Sequence, residues 1–254
     1  EFQRKVWNLL ETNKHVFLDS KTLPPVMKGE PHKFILKPDA KIVACPEPRW
    51  TPAKAEYVDG WAEDGLQSGL MELAPNSPYA SRVHIADKAG GELRPTGDYV
   101  RLNDQIVKVA PQVPHLLGQV MGFQRCAIFF ESDAPKAFYM VDLHEDSRNL
   151  TTVWTRKFGK VRFTRLNFGH KNASTVLQTR MSRALQPLPA PSREAVKNYA
   201  DDFVGGAEGE EELFCVLRDF LTLAIVPNNI SLKASKTRIG YPNATYGGYV
   251  LGSG

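Results

Sequence analysis

Asp201 and Asp202 stand side by side between apolar flanks, Ala195-Val196 before and Phe203-Val204 after, with Gly205-Gly206 following. The pattern predicts a tight β-hairpin with both acids at or near its turn. Adjacent carboxylates repel, so the pair favours a cation that neutralises it. Asp133 closes a second apolar segment, Arg125 to Ser132. One carboxylate on a strand and a pair on a hairpin are the ligands that two divalent ions need to clamp a phosphoryl group in transfer. Solvated turns also carry Asp-Asp before Gly-Gly, so the dipeptide alone decides little. Its strand–turn–strand setting carries the inference.

The remaining elements must hold those acids in place. Ala55, Val58, Trp61, Ala62 and Leu66 recur on one face and predict a helix over 52–70, broken by Pro75-Asn76-Ser77-Pro78. A hairpin is expected from Val83, turning at Ala89-Gly90-Gly91 and returning through Glu92-Leu93-Arg94. Ile128, Phe129 and Phe130 centre a strand that ends at Asp133, with Pro135 opening a short helix behind it. A second hairpin is expected over 151–166 and a helix over 172–186. The Pro- and Ser-rich stretch 187–194 reads as a loop, and 207–224 as a helix with Glu208, Glu210, Glu211 and Glu212 at its positive end. Residues 1–50 look irregular apart from a short strand over 32–36. Lys233 and Lys236 are expected on a strand, and Tyr246-Gly247-Gly248-Tyr249 reads as a tight glycine turn into a last one.

Bulk properties are those of a globular protein: 254 residues, 42% hydrophobic and 24% charged. No apolar run approaches the roughly 20 residues that span a bilayer, so no membrane role is expected. Cys45, Cys126 and Cys215 are too few and scattered for a disulfide framework or a zinc site, and Cys126 and Cys215 read as core thiols. The net charge of +4 permits a nucleic-acid partner without demanding one. Eight cations between Arg156 and Arg183 are unbroken by an acid, and read as a phosphate-tracking surface in preference to a plain solvated face.

In order, these pieces resemble the reverse transcriptase domain of gypsy-type LTR retrotransposons and of retroviruses, its fingers and palm portion, over roughly residues 17–252. The matching motifs are Ser77-Pro78-Tyr79-Ala80-Ser81, then Leu93-Arg94-Pro95 through Gly97-Asp98-Tyr99 to Leu102-Asn103. Asp133 with Ala137-Phe138 follows, then Asp146-Ser147-Arg148 with Leu150-Thr151-Thr152, and Phe168-Gly169 with Asn172-Ala173. Tyr199-Ala200-Asp201-Asp202, Ser235-Lys236 and Tyr246-Gly247-Gly248-Tyr249 complete the set. His170 stands where the family usually has Leu.

The resemblance implies an α+β right-hand polymerase, fingers and palm, with an antiparallel palm sheet packed on helices and the thumb absent from this chain. It implies an N-terminal extension and fingers over 1–107, palm over 108–140, fingers again over 141–172, and palm with the acidic hairpin and primer-gripping turn over 173–254. Asp133, Asp201 and Asp202 would be the catalytic metal ligands for two Mg²⁺ ions, with Mn²⁺ as a substitute, and Lys236 a proton donor to pyrophosphate. Lys88, Arg94, Ala134, Phe138, Phe168, Gly169 and Gln178 would line the nucleotide site. Phe138, five residues after Asp133, would exclude a sugar 2′-hydroxyl and so favour deoxynucleotides. Tyr199, Tyr246, Gly247 and Gly248 would meet primer and template.

The implied activity is RNA-directed DNA synthesis by two-metal nucleotidyl transfer, as part of a retroelement polyprotein. The implied partners are a primed RNA or DNA template, dNTPs, and thumb or RNase H segments of the same polyprotein or a separate protein. The implied setting is intracellular: cytoplasm, virus-like particle or nucleus. The competing readings are a non-catalytic, thumb-less descendant serving as a nucleic-acid-binding or assembly subunit, and an RNA-directed RNA polymerase. The intact acids argue against the first and Phe138 against the second.

Overall fold

The computed structural model describes residues 1–19, 22–87, 93–110 and 115–252. The chain divides into two units: Glu1–Lys28, Ala110–Ala137 and Ser174–Gly254 form the first, and Gly29–Val109 with Phe138–Ala173 the second.

The first unit is built on a four-stranded antiparallel sheet. Its order is Arg238–Tyr241, Ile128–Asp133, Asp202–Ala207, Val196–Tyr199. Residues directly opposite in an antiparallel pair share a face. Phe130 opposes Gly205 and Ser132 opposes Phe203, so these four lie on one face. There Phe130 and Phe203 pack on Phe220, with ring centroids 5.1 and 5.2 Å apart. Phe220 follows the helix Glu210–Asp219, whose first turn carries Glu210, Glu211 and Glu212 against its positive end. The other face holds Phe129, Glu131 and Asp133 opposite Gly206, Val204 and Asp202. Phe129 and Val204 join Phe123, Ala244, Tyr246 and Leu251 in a buried cluster. The sheet is thus apolar on the helix side, and on its second face runs from apolar to acidic along two strands.

The glycines after the acidic pair are not turn residues. Gly205 and Gly206 lie inside the strand Asp202–Ala207. A Cβ on Gly205 would come within 2.1 Å of the Phe130 ring, and one on Gly206 within 2.9 Å of Cys126 Sγ. They are glycine because neighbouring side chains fill the space a Cβ would need.

The second unit packs the helix Pro52–Gln67 on a three-stranded sheet ordered Met71–Leu73, Gly159–Phe163, Val153–Thr155. Thr51 caps the helix through Oγ1, which accepts the Lys54 N–H. A separate hairpin pairs Val83–Asp87 with Leu93–Gly97; its expected turn lies outside the described residues.

Several expectations need correction. The basic run is largely committed to internal partners. Lys157 pairs with Glu63, Arg162 with Glu72 and Glu145, and Lys160, Arg165 and Lys171 donate to carbonyls of Ser77, Tyr139, Asn103 and Ile106. These five of the eight cations thus have partners within the protein, and the Lys157–Glu63 pair among them is itself exposed. Residues 1–50 open with a helix, Phe2–Thr12, tied to Glu211 by Lys5. The expected loop 187–194 contains the helix Ala190–Ala195. The segment 32–36 makes only isolated bridges at His32 and Leu36. Lys233 is on a two-residue strand paired with Phe17–Leu18, whereas Lys236 ends a 3₁₀ turn. Cys215, on the helix Glu210–Asp219, is exposed, and Cys126, in the segment before the strand Ile128–Asp133, is only half-buried against the apolar cluster.

Candidate active site

Asp133 and Asp202 are directly opposed cross-strand partners on one face of the sheet. Asp201 occupies the two-residue turn between Tyr199 and Asp202. Its carbonyl accepts the Ala134 N–H at 2.8 Å, which ties the turn to the end of the Asp133 strand. Ala134 is completely buried, so its contribution to the site is this backbone donor. The Asp202 carboxyl is pushed up to about 6, first by burial and then by the charges of Asp201 and Asp133, with Lys236 opposing. Lys236 Nζ lies 2.7 Å from Asp133 Oδ1, and that hydrogen bond raises the ammonium above its ordinary range. A cavity of about 330 Å³ opens here, lined by Glu131, Asp133, Asp202, Ser235, Lys236 and Arg238 among others.

The donors are hard oxygens that repel one another, and a lysine already supplies part of the compensating charge. That chemistry fits a hard divalent cation. Among the described residues no three His, Cys, Asp or Glu side chains are already gathered closely enough to hold a metal.

The other expected residues fall into two groups. In the first unit, Gln178 is 3% exposed. Its Oε1 accepts the Ala200 N–H at 2.7 Å, and its Nε2 donates to Ser182 Oγ and the Asn198 carbonyl. Its side chain is thus engaged with the acidic hairpin itself. Tyr199 is half-buried against the apolar cluster. Tyr246 is fully buried and donates its hydroxyl to Gln119 Oε1 at 2.7 Å, so the turn presents Gly247, Gly248 and the exposed Tyr249 instead of the Tyr246 ring. Gly247 and Gly248 both take positive φ, 54° and 87°, as a tight hairpin turn requires.

Phe138, Phe168 and Gly169 belong to the second unit. Phe138 and Phe168 meet edge to face at 4.7 Å. Gly169 has φ 94°, and its carbonyl accepts the Asn103 amide at 2.8 Å. Arg94 is on the return strand Leu93–Gly97, and Lys88 lies outside the described residues.

An antiparallel sheet with a carboxylate at one strand end facing an acidic hairpin, helices behind it and an interleaved second unit defines a right-hand polymerase of the fingers–palm type. Solved structures share this fold. The foamy viral protease–reverse transcriptase bound to double-stranded DNA superposes with a TM-score of 0.84 over 99% of this chain and 43% of that one, at 16% identity. The same enzyme with an RNA/DNA hybrid gives 0.83 over 99% and 33%, also at 16% identity. Residues 86–251 match the family model for reverse transcriptase (RNA-dependent DNA polymerase). The chain belongs to the reverse transcriptase family.

Relatives include the Pol polyprotein of transposon gypsy from Drosophila melanogaster, 23% identical over 78% of this chain and 19% of that protein. The corresponding polyprotein of transposon 297 is 27% identical over 52% and 13%. The Gag-Pol polyprotein of Woolly monkey sarcoma virus is 26% identical over 73% and 11%. The chain therefore spans less than a fifth of these relatives' length. The gypsy-type and retroviral resemblance is borne out, and so is the palm sheet packed on helices. The family generally uses divalent metal ions. No described helix is long and apolar enough to cross a membrane.

Proposed function

We propose that this chain is the fingers and palm of an RNA-directed DNA polymerase that extends a primer on an RNA or DNA template. The observation that carries this reading is Asp133 facing Asp202 across two strands, with Asp201 tied alongside and Lys236 on Asp133. In the reaction the primer 3′-oxygen bonds to the α-phosphorus of a dNTP, and the bond to the β-phosphate breaks to release pyrophosphate. Asp133, Asp201 and Asp202 would hold two Mg²⁺ ions, or Mn²⁺ in their place, which supply Lewis-acid stabilisation of the attacking and leaving oxygens. Lys236 keeps its proton while Asp133 is its partner; once that carboxylate's charge is engaged elsewhere, the ammonium is a better acid for the departing pyrophosphate.

The first unit is read as palm and the second as fingers, with 1–28 as the leading extension. Phe138 and Phe168, packed edge to face, are read as the wall against a ribose 2′-hydroxyl. Gly169 and the cations Lys88 and Arg94 are assigned to the incoming triphosphate, and Gly247-Gly248 to the primer. Tyr199 and Gln178 support the acidic turn from beneath. The polyprotein names of the relatives favour synthesis inside a larger Pol protein.

Primer extension tests the reading. With Mg²⁺, dNTPs and a primed RNA template, the wild type extends and Asp201→Asn does not. Equal silence from both sinks the enzyme and leaves a nucleic-acid-binding scaffold. Ribonucleotide incorporation by Phe138→Ala, but not by wild type, is expected if Phe138 is the sugar gate.

A further inference from the structure

Glu131 lies two residues before Asp133 and on the same face of the same strand. Its side chain is only 16% exposed, and both carboxylate oxygens are in use. Oε1 accepts from Arg238 Nη1 at 2.9 Å, and Oε2 accepts the Thr245 backbone N–H at 2.6 Å. Arg238 is also its direct cross-strand partner on the edge strand. The guanidinium sits 4.3 Å from the Tyr241 ring and reaches Asn243 Oδ1 at 3.5 Å. One carboxylate thus joins three segments: the strand that bears Asp133, the edge strand, and the terminal hairpin Asn243–Tyr246 with Tyr249–Gly252.

The hairpin needs such a tie. It forms its own two-stranded sheet and is not part of the four-stranded ladder. Ala244, Tyr246 and Leu251 pack it on Phe129 and Val204. Apolar packing is non-directional: it keeps two surfaces together but sets their register weakly. A charge-assisted hydrogen bond at 2.6 Å to a backbone N–H sets it closely. The bond meets the hairpin at Thr245, two residues before Gly247, and meets the central strand two residues before Asp133. The span from the metal-ligand carboxylate to the glycine turn therefore runs through Glu131.

We propose that Glu131 is a positioning residue. It fixes the terminal hairpin against Asp133 and so registers the primer terminus held by that hairpin with the carboxylates. The role rests on the reading of Gly247-Gly248 as the primer-contacting turn. Gln at this position keeps the shape but loses the charge that both donors share. Thr245→Pro deletes the N–H donor and leaves Glu131 and Arg238 in place. Arg238→Lys keeps an ion pair.

The test uses a labelled DNA primer on an RNA template, with kinetics normalised to titrated active sites. Glu131→Gln and Thr245→Pro should each weaken primed-hybrid binding or lower kcat at least tenfold. KM for dNTP should stay within threefold, and affinity for unprimed template within twofold. Arg238→Lys should retain a third or more of wild-type activity. Wild-type behaviour of Glu131→Gln and Thr245→Pro overturns the proposal while leaving the polymerase standing. So does a parallel loss of unprimed binding, dNTP KM and melting temperature, which marks a support of the fold alone. A wild type that neither binds nor extends the primed hybrid sinks the polymerase reading itself, and this role with it; the wild-type control alone tells that case from the others.

Discussion

Gln178 Oε1 accepts the Ala200 N–H at 2.7 Å, from inside the core, directly behind the acidic turn. Ala200 has φ 51°, a left-handed conformation that costs a non-glycine residue roughly 1 kcal/mol. The turn that carries Asp201 is therefore held by a side chain two elements away. Gln178→Ala should leave that N–H unsatisfied, at a cost of about 1–3 kcal/mol. It should slow primer extension on the order of 100-fold through misplacement of Asp201. Gln178→Glu keeps the acceptor but buries a charge and sets an oxygen against the Asn198 carbonyl that Nε2 now serves, so it should not restore the rate. Ala200→Gly should raise stability by up to about 1 kcal/mol in urea titrations.

Gly205 tests the packing behind the site. An added methyl group meets the Phe130 ring, which itself leans on Phe220. Gly205→Ala should destabilise by about 1–3 kcal/mol or more, read as a lower urea midpoint at unchanged slope. Gly209→Ala, where a Cβ meets nothing within 4 Å, is the control and should change the midpoint far less.

These two sites mark what could be read from the chain alone. Apolar flanks around Asp201-Asp202 and before Asp133 were enough to set one pair of acids at a hairpin turn and one acid at a strand end; that the two strands pair is visible only in the sheet register. The reason for Gly205-Gly206 after the acidic pair was not legible, because it lies in the Phe130 and Cys126 side chains that fill the space a Cβ would need. The ion pairs of Lys157 and Arg162 could not be read from the basic run, because Glu63, Glu72 and Glu145 are distant in sequence. Gln178 was picked out, but its partner Ala200 is a backbone group, which no residue type announces. Glu131 left one signal, a lone acid inside an apolar strand.

The acidic face should respond to magnesium. Asp202 is raised to about 6 by burial and by Asp201 and Asp133. A raised carboxyl favours the folded state most below its unfolded value near 4, and that contribution is lost as pH rises through about 6. Asp202→Asn should therefore gain stability over the metal-free wild type as pH climbs from 4 to 7. Mg²⁺ at ten times its Kd should add about 1.4 kcal/mol to the wild type, about 3–5 °C in Tm. Asp133→Asn and Asp201→Asn should lose most of that shift in thermal melts. An equal Mg²⁺ shift in all of them would place the bound ion away from these carboxylates.

His170 should set the acid limit of the second unit. Its ring is 5% exposed, stacked between Tyr99 at 3.9 Å and Phe34 at 4.7 Å, and neither nitrogen has a hydrogen-bond partner. Burial, with a smaller push from His32, lowers its pKa to about 3. The neutral ring therefore contributes stability that is complete above the unfolded value near 6.5. That contribution is lost as pH falls towards 3, amounting to roughly 3 kcal/mol by pH 4. His170→Leu removes the titration and keeps an apolar side chain in the stack. Urea midpoints of the two proteins should lie close together at pH 7 and separate steadily below pH 6, with the Leu variant the more stable. Parallel midpoints down to pH 4 would mean that the imidazole escapes the stack and takes up its proton in solvent.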